Sequence, residues 1–164
     1  MNQVVVKQEK SGYQIVEAYK SLRTNLQFCG EDKKVIAVTS CTPNEGKSSV
    51  SMQLGISLAE SGKRVILIDA DLRKSVLLGR TKTQKSVRGL AHFLSGQATL
   101  EDVICSTNVK NFYMIYSGPF PPNPAELLGG KNFRSLLNAL RKVYDYVIVD
   151  TPPLGSVIDS AIVA

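Results

Sequence analysis

Apolar and polar positions alternate along this chain in two different rhythms. Four short apolar runs, at residues 35–39, 65–68, 112–116 and 146–149, have the length of strands buried inside a sheet. Between these runs, apolar residues recur at the spacing of helices. Strands that alternate with helices favour a mostly parallel sheet covered on both faces, which is a three-layer α/β/α fold.

Two of the predicted helices have recognisable ends. The first follows the run at 35–39 and ends at Gly62, a residue type suited to the position after a helix. The second begins at Asn123, the predicted N-cap, with Pro124 in the first turn and Glu126 closing a capping box. One apolar stripe continues along this part of the chain: Phe133, Leu136, Leu137, Leu140 and Val143.

A separate amphipathic helix is predicted before the first strand, over residues 13–28. Its apolar stripe consists of Ile15, Tyr19, Leu22 and Leu26. Glu17, Lys20 and Arg23 follow a three-residue step on the opposite side. We expect the apolar stripe to pack on the sheet and the charged side to face solvent.

The composition is that of a globular protein, because 43% of the 164 residues are hydrophobic and 21% are charged. This length suits one domain that spans residues 1–164. No apolar run approaches the roughly 20 residues of a membrane span, and the polar N-terminus lacks the apolar core of a signal peptide. We therefore expect a cytoplasmic protein.

The cysteines and the single histidine exclude several kinds of site. Cys29, Cys41 and Cys105 are an odd number without a C-x-x-C pair, so they predict neither a disulfide framework nor a zinc site. His92 is the only histidine, which excludes a metal site built from several histidines. Its position beside Phe93 favours a structural role in a helix.

The segment after the first predicted strand has the sequence of a phosphate-binding loop. Residues 40–48 lie between a strand and a helix, where backbone N–H groups wrap a phosphate at the helix N-terminus. Gly46 permits a close backbone approach, Lys47 suits the β- and γ-phosphates, and the Ser48 hydroxyl suits Mg²⁺. The general motif has glycine where this chain has Cys41. The predicted nucleotide-binding residues are Thr42, Pro43, Asn44, Glu45, Gly46, Lys47, Ser48 and Ser49.

Three aspartates follow two of the other predicted strands. Asp69 and Asp71 come after the run at 65–68, and Asp150 comes after the run at 146–149. Because parallel strands present their carboxyl ends at one edge of the sheet, we expect these carboxylates to meet beside the loop. Mg²⁺ prefers a few carboxylates completed by water and substrate phosphates, which fits these residues together with Ser48.

This combination resembles the bacterial tyrosine kinase family, the cytoplasmic kinases of capsule and exopolysaccharide synthesis. Residues 40–48 resemble its Walker A motif, which also tolerates a non-glycine first position. Residues 65–73 resemble its Walker A′ motif, an apolar run followed by Asp-x-Asp-x-Arg, and residues 147–152 resemble its Walker B motif. The resemblance covers the chain from Glu17 to Asp159.

The resemblance implies autophosphorylating transfer of the ATP γ-phosphoryl group to protein tyrosines, with ATP, ADP and Mg²⁺ as ligands. It implies that Lys47 binds the β- and γ-phosphates and that Mg²⁺ is held by Ser48, Asp71 and Asp150. Asp69 would orient or deprotonate the tyrosine hydroxyl, or else bind the metal. Arg73 would be an accessory residue that anchors its loop or contacts phosphate.

The resemblance also implies partners. Glu17, Lys20 and Arg23 resemble a Glu-x-x-Arg-x-x-Arg oligomerisation motif, so a ring-like homo-oligomer is expected, although Lys20 replaces the middle arginine. The expected activator is a transmembrane polysaccharide copolymerase whose cytoplasmic tail completes the active site, which would hold the kinase at the membrane. The family's C-terminal tyrosine cluster is absent before Ala164, so we expect further C-terminal elements.

Two alternatives remain from the residues. A partitioning or septum-positioning ATPase of the deviant-Walker group has a similar fold but carries a signature lysine early in the loop, where this chain has Thr42. A nucleotide-gated scaffold of the polysaccharide machinery would bind nucleotide without turnover. Tyrosine phosphorylation, or DNA-stimulated ATPase activity without it, would separate these possibilities.

The net charge of +6 originates in one segment. Between Leu72 and His92 there are six basic residues and no acidic residue: Arg73, Lys74, Arg80, Lys82, Lys85 and Arg88. The remainder of the chain carries 14 basic and 14 acidic residues. This basic segment is either a solvated loop or a surface for acidic partners near the nucleotide, and no specific nucleic acid is expected.

Overall fold

A computed structural model describes residues 1–8, 10–83 and 86–154, and Lys85 and Asp159 lie outside these residues. Seven strands form one sheet in this part of the chain. The strands are β1 (Asn2–Val6), β2 (Val35–Val38), β3 (Val65–Asp69), β4 (Thr81–Thr83), β5 (Cys105–Thr107), β6 (Phe112–Ile115) and β7 (Tyr146–Asp150). The helices are α1 (Tyr13–Phe28), α2 (Lys47–Glu60), α3 (Leu90–Leu94), α4 (Leu100–Val103), α5 (Pro124–Gly129) and α6 (Lys131–Val143), and a 3₁₀ turn (Leu78–Arg80) precedes β4.

The strand order in the sheet is β2-β7-β3-β6-β5-β1-β4. The first four strands pair in parallel, whereas β5 is antiparallel to β6 and β4 is antiparallel to β1. The predicted mostly parallel sheet is therefore confirmed, and each of the four predicted strands is present within a residue at either end.

The core lies on both faces of β3 and β7, whose residues are buried throughout. On one face, Leu54 and Leu58 of α2 pack with Val65 and Leu67. On the other face, the α6 residues Phe133, Leu136 and Leu140 pack with a second buried cluster that includes Ile66 and Val149. This arrangement confirms helices on both faces and explains why β3 and β7 are continuous apolar runs.

Several short elements were not predicted. In β1, Val4 and Val6 are buried while Val5 is half exposed, and this alternation was the available signal. The strands β4 and β5 have three residues each and α4 has four, whereas α3, with five residues, was predicted only as the helix that contains His92. Elements of this length carry too few residues for a periodic pattern to identify.

Three predictions of local detail were wrong. The strand β2 is not buried, because it is at the end of the described sheet and leaves Val35 39% exposed. Asn123 is the N-cap residue of α5 and Pro124 lies in its first turn, as predicted, but the predicted capping box is absent because the Asn123 side-chain amide donates to Glu126 Oε2 at 3.2 Å. The charged side of α1 does not face solvent throughout, because Arg23 Nη1 donates to the carbonyl of Ser57 on α2 at 2.8 Å.

The sheet positions three strand ends side by side. The central strand β7 pairs with β2 on one side and with β3 on the other. Asp150 at the end of β7 is the register partner of Val38 and of Asp69. The loop after β2 and the carboxylates after β3 and β7 consequently share one edge of the sheet.

Candidate active site

The loop between β2 and α2 has the backbone of a phosphate-binding loop. Asn44 and Gly46 adopt left-handed conformations, with φ of 64° and 83°. Gly46 is the N-cap of α2 and, having no side chain, leaves the helix N-terminus without a side-chain cap. Backbone N–H groups at such an N-terminus favour an anion. The preference of glycine for positive φ explains why the loop has it at this position.

The Glu45 side chain holds the first part of this loop. Its Oε2 accepts hydrogen bonds from the backbone N–H groups of Cys41 and Thr42 at 3.1 and 3.3 Å. Hydrogen bonding from Thr42 keeps the pKa of the Glu45 carboxyl below its usual value. Glu45, predicted among the nucleotide-binding residues, thus organises the loop through its own carboxylate.

Three side chains of α2 converge on Asp150. Lys47 Nζ lies 2.6 Å from Asp150 Oδ1, and Ser48 Oγ donates to Oδ2 at 2.8 Å. Ser51 Oγ is 3.1 Å from Oδ1 and 3.0 Å from the Lys47 carbonyl, so its single proton is available to either acceptor. The Lys47 and Asp150 side chains are only 7% and 1% exposed, which makes this a buried ion pair.

Sequence reasoning missed Ser51. It lies four residues after Lys47, which places both residues on one face of the helix. This spacing was the signal that could have added Ser51 to the site.

Asp69 is a buried carboxyl whose pKa is raised to about 7. Burial is the main cause, and the neighbouring charges of Asp150 and Asp71 add to it. Ser75 Oγ donates to Asp69 Oδ2, and the Asp71 backbone N–H donates to Oδ1 at 3.3 Å. Ser75 was also missed by sequence reasoning, because only the loop after β3 brings it back to Asp69.

Asp71 has a different environment from Asp69. It is half-buried, and its Oδ1 accepts the Lys74 backbone N–H at 3.1 Å. Together with Arg73, it lines the cavity beside the phosphate-binding loop, which has a volume of about 290 Å³. The cavity is also lined by Ser40, Pro43, Asn44, Gly46, Lys47, Ser48, Lys74, Val76, Arg80, Pro152 and Pro153.

The structure brings most of the predicted site residues together. Lys47 and Ser48 line the cavity and bind Asp150, which is the register partner of Asp69, and neither aspartate lines the cavity itself. Thr42, Glu45 and Ser49 do not line the cavity. Its volume is near the lower end of the range for small-molecule sites and accommodates a phosphate chain.

The donor atoms at this edge suit a hard cation. In the described part of the chain, no three His, Cys, Asp or Glu side chains lie close enough to hold a metal by themselves. Asp69 and Asp150 are nevertheless buried neighbours whose charges repel, and the Ser48 hydroxyl lies on Asp150. Oxygen donors of this kind fit Mg²⁺ if phosphate oxygens and water supply its remaining ligands.

The other candidate chemistries have structural explanations. All three cysteines are free, and Cys105 is buried. His92 Nδ1 accepts the Gly89 backbone N–H at 3.0 Å at the start of α3, which confirms its structural role. Glu17 and Lys20 form an ion pair of 2.9 Å along α1, and neither lines the nucleotide cavity.

The fold and this site define a P-loop nucleotide-binding protein. A sequence profile of the family described as an AAA domain matches residues 33–164. The tyrosine-protein kinase CpsD of Streptococcus agalactiae is 45% identical over 148 residues, which is 90% of this chain and 65% of the relative. The kinase domain of the Escherichia coli tyrosine kinase ETK is 32% identical with a TM-score of 0.86, over 98% of this chain and 72% of that one. The chain belongs to the bacterial tyrosine kinase family.

A less similar solved structure belongs to a septum-positioning ATPase, the class of protein named above as an alternative. The septum site-determining protein MinD of Pyrococcus horikoshii, solved with Mg-ADP, is 26% identical with a TM-score of 0.64. The match covers 80% of this chain and 53% of that protein.

This chain spans about 65% of the length of the CpsD relative. Among the described residues, no helix is long and apolar enough to cross a membrane.

Proposed function

We propose that this chain forms the nucleotide-binding and catalytic part of an ATP-dependent protein-tyrosine kinase that autophosphorylates and regulates capsular or exopolysaccharide synthesis. The observation that carries the proposal is the paired Asp69 and Asp150 at one sheet edge, with Lys47 and Ser48 on Asp150 and the phosphate-binding loop beside them. Membership of the bacterial tyrosine kinase family supports the choice of acceptor.

Lys47 is the residue that engages the phosphate chain. Its ammonium group is paired with Asp150 inside the site and is therefore already desolvated. When ATP binds, the ammonium group turns toward the β- and γ-phosphates and neutralises charge that builds up on the β-phosphate as the γ-phosphoryl group leaves. Gly46 and the first N–H groups of α2 hold the phosphates at the helix N-terminus.

Asp69 receives the proton of the acceptor. A new bond forms between the tyrosine oxygen and the γ-phosphorus, the bond from that phosphorus to the β-phosphate oxygen breaks, and ADP leaves with that oxygen. The tyrosine proton passes to the Asp69 carboxylate. A pKa of about 7 suits a group that must gain and lose a proton near neutral pH. The remaining possibility for Asp69, a metal ligand, would show as a changed Mg²⁺ requirement in Asp69→Asn.

Ser48, Asp71 and Asp150 are the residues that would hold Mg²⁺, at least partly through water. When bound, the ion would neutralise phosphate charge. Ser48 and Asp150 are already joined at 2.8 Å, so these two oxygen donors need little rearrangement. Arg73 lines the same cavity and is the accessory residue on the phosphate side.

A second cavity, of about 650 Å³, is proposed as the approach for the acceptor tyrosine. It shares Arg73 and Lys74 with the nucleotide cavity, and Ser75, which binds Asp69, also lines it. Its apolar lining includes Leu78 and Phe120, which are 54% and 62% exposed. Basic and apolar side chains together suit a tyrosine-bearing segment with acidic residues.

Substitutions in the basic segment test whether the acceptor tyrosine enters through this second cavity. Replacing Lys74 and Lys82 with Gln is expected to raise KM for an acidic tyrosine peptide and to weaken its dependence on salt. A neutral tyrosine peptide is the matched substrate. Equal KM values for the acidic peptide in wild type and variant would contradict the assignment.

Assembly of the whole protein is also proposed. The helix α1 has no fully buried residue and exposes Ile15 and Leu22, which supports self-association into a ring-like homo-oligomer. The family resemblance supports a transmembrane copolymerase as activator, whose cytoplasmic tail completes the site and places the kinase at the membrane.

The central experiment measures autophosphorylation of the full-length protein with its activator tail. Lys47→Met and Asp69→Ala are each expected to abolish phosphotyrosine while the far-ultraviolet circular dichroism spectrum is retained. Lys131→Met and Asp32→Ala, at exposed positions, are matched controls expected to keep wild-type phosphotyrosine. Undiminished phosphotyrosine in either site variant would overturn the mechanism.

The likeness to MinD favours one alternative, a partitioning or positioning ATPase. This chain has Thr42 where that group carries its signature lysine. ATP turnover stimulated by DNA, without tyrosine phosphorylation, would support the alternative. Nucleotide binding without turnover, even with the activator tail, would instead support a scaffold.

A further inference from the structure

Arg80 reaches the nucleotide cavity from the segment opposite the phosphate-binding loop. It lines the same cavity as Lys47 and Ser48. Its Nη1 donates to the hydroxyl of Ser49, the third residue of α2. The sequence pattern had placed Arg80 only within the basic segment, and the fold brings it to the helix N-terminus.

The backbone of Arg80 is fixed on both sides. Its N–H donates to the Leu77 carbonyl at 3.0 Å, and its carbonyl accepts the Lys7 N–H at 3.4 Å. The next residue, Thr81, begins β4 opposite Val6, and its hydroxyl is 2.6 Å from the buried Tyr116 hydroxyl. The backbone is therefore held in place, and the hydrogen bond to Ser49 restrains the guanidinium group itself, which reduces the side-chain entropy lost when a ligand binds.

The surroundings of Arg80 favour an anion. The three ion pairs among the described residues use Lys20, Lys33 and Lys47 as their cations, and Arg80 donates to a neutral hydroxyl. Four of the residues that line the cavity are basic, Lys47, Arg73, Lys74 and Arg80, and one is acidic, Asp71. Ser49 lies in the first turn of α2, where the helix dipole and unpaired N–H groups also attract negative charge.

We propose that Arg80 is a nucleotide-binding residue whose guanidinium group, held beside the first turn of α2 by its hydrogen bond to Ser49, contacts the phosphate nearest the nucleoside. This inference rests on the proposed nucleotide-binding function. Lys47 serves the β- and γ-phosphates, and the phosphate-binding loop cradles the α- and β-phosphates. Arg80 donates to Ser49, the residue directly after Lys47 and Ser48 in the first turn of α2. We therefore assign Arg80 to the inner phosphate, which is the one nearest the nucleoside.

The position of the contact determines its effect on different nucleotides. A contact to the inner phosphate is present with both ADP and ATP, so loss of Arg80 lowers both affinities by a similar factor. A contact to the γ-phosphate would lower the affinity for ATP alone. Loss of one charge-assisted hydrogen-bond pair corresponds to about a 10- to 100-fold change in Kd.

The test is calorimetric titration of the full-length protein with Mg-ADP and with a non-hydrolysable Mg-ATP analogue. Arg80→Ala is expected to raise Kd for both nucleotides by about 10-fold or more. Arg80→Lys is expected to recover part of the affinity, because it keeps the charge but loses the planar fork. Arg80→Gln keeps a hydrogen-bond donor for Ser49 without the charge and is expected to bind as weakly as Arg80→Ala.

The control is Arg88→Ala, which removes the same charge from the same segment. Arg88 is exposed and donates to the Gln97 carbonyl, and it does not line the nucleotide cavity. This variant is expected to keep wild-type affinity. Equal losses in Arg88→Ala and Arg80→Ala would overturn the contact in favour of a general charge effect, and wild-type affinity in Arg80→Gln would overturn the use of charge.

The outcomes also separate this inference from the proposed function. If the wild type binds neither nucleotide, both fail. If the wild type binds nucleotide and phosphorylates tyrosine while Arg80→Ala has unchanged Kd values, only the role of Arg80 fails. A loss confined to the ATP analogue would overturn the assignment to the inner phosphate.

Discussion

Asp150 is the residue on which the site is centred. It is 1% exposed and contacts Lys47, Ser48 and Ser51, so its charge is compensated by one ammonium group and two hydroxyls. The sequence predicted that Lys47, Ser48 and Asp150 lie at one edge of the sheet, as parts of a phosphate-binding loop and a strand-end carboxylate. Their direct contact depends on β2 and β7 being parallel neighbours, a strand order that no local pattern indicates.

The first prediction concerns this buried ion pair. Lys47→Met leaves the Asp150 carboxylate without its cation and is expected to lower the free energy of unfolding at pH 7 by up to about 3–5 kcal/mol. Adding Asp150→Asn removes the unpaired charge and is expected to recover much of the loss. Urea denaturation without nucleotide measures both, with Lys131→Met as the control. A double variant less stable than Lys47→Met alone would contradict the pairing.

The second prediction concerns Asp69 and pH. Because the folded protein raises the pKa of this carboxyl from 3.8 to about 7, protonated Asp69 favours the folded state. That stabilisation is complete below about pH 4 and is lost as the pH rises through 7. Wild-type stability should therefore decline over this range relative to Asp69→Asn, which does not titrate.

Urea denaturation between pH 4 and 8, with EDTA and without nucleotide, measures this difference. Asp32→Asn is the control, because the Asp32 side chain is 70% exposed. A constant difference between wild type and Asp69→Asn across this range would contradict the raised pKa.

Among the elements, α2 is held close to the sheet by a glycine. A Cβ added to Gly55 would lie 2.5 Å from Phe112 Cε2, and the Phe112 side chain is fully buried within β6. Sequence reasoning predicted both the helix and the strand, but the close approach of Gly55 to the aromatic ring is a property of their packing.

The third prediction follows from this contact. Gly55→Ala is expected to destabilise the protein by about 1–3 kcal/mol, because overpacking exceeds the gain in helix propensity. The double variant Gly55→Ala/Phe112→Leu is expected to be less destabilised than the sum of the two single changes. Thermal unfolding measures all three variants, and simple additivity would show that the residues do not collide.

The predictability of an element depended on its length and burial. The strands β3 and β7 were predictable as apolar runs because both of their faces are covered. The three-residue strands β4 and β5 were not, since β4 exists by pairing with β1 and β5 by pairing with β1 and β6. Arg80 directly precedes β4, so its position at the cavity also depends on the pairing of β4 with β1. Local sequence therefore did not identify it as a site residue.

For the molecule as a whole, the surface of α1 relates to assembly. Tyr19 and Leu26 pack against the core, whereas Ile15 and Leu22 are 51% and 38% exposed. The predicted apolar stripe is therefore divided between the protein's own core and its surface, and this exposed part supports the proposed self-association.

The fourth prediction tests that surface. Ile15→Ser/Leu22→Ser is expected to reduce the mass of the assembled protein, measured by light scattering, because the exposed apolar area of α1 is lost. Val143→Ser is the matched control, because Val143 at the end of α6 is 54% exposed, and this variant should leave the mass unchanged. An unchanged mass in the α1 variant would exclude this face from the interface.

The sequence by itself determined the class of fold, the phosphate-binding loop and the three strand-end aspartates, because these depend on local hydrophobicity, on glycine conformation and on the side chain that follows each strand. The tertiary structure decided which side chains meet: Ser51 with Asp150, Ser75 with Asp69, and Arg80 with Ser49. Strand order and loop paths set these contacts, and both result from packing between residues that are distant along the chain.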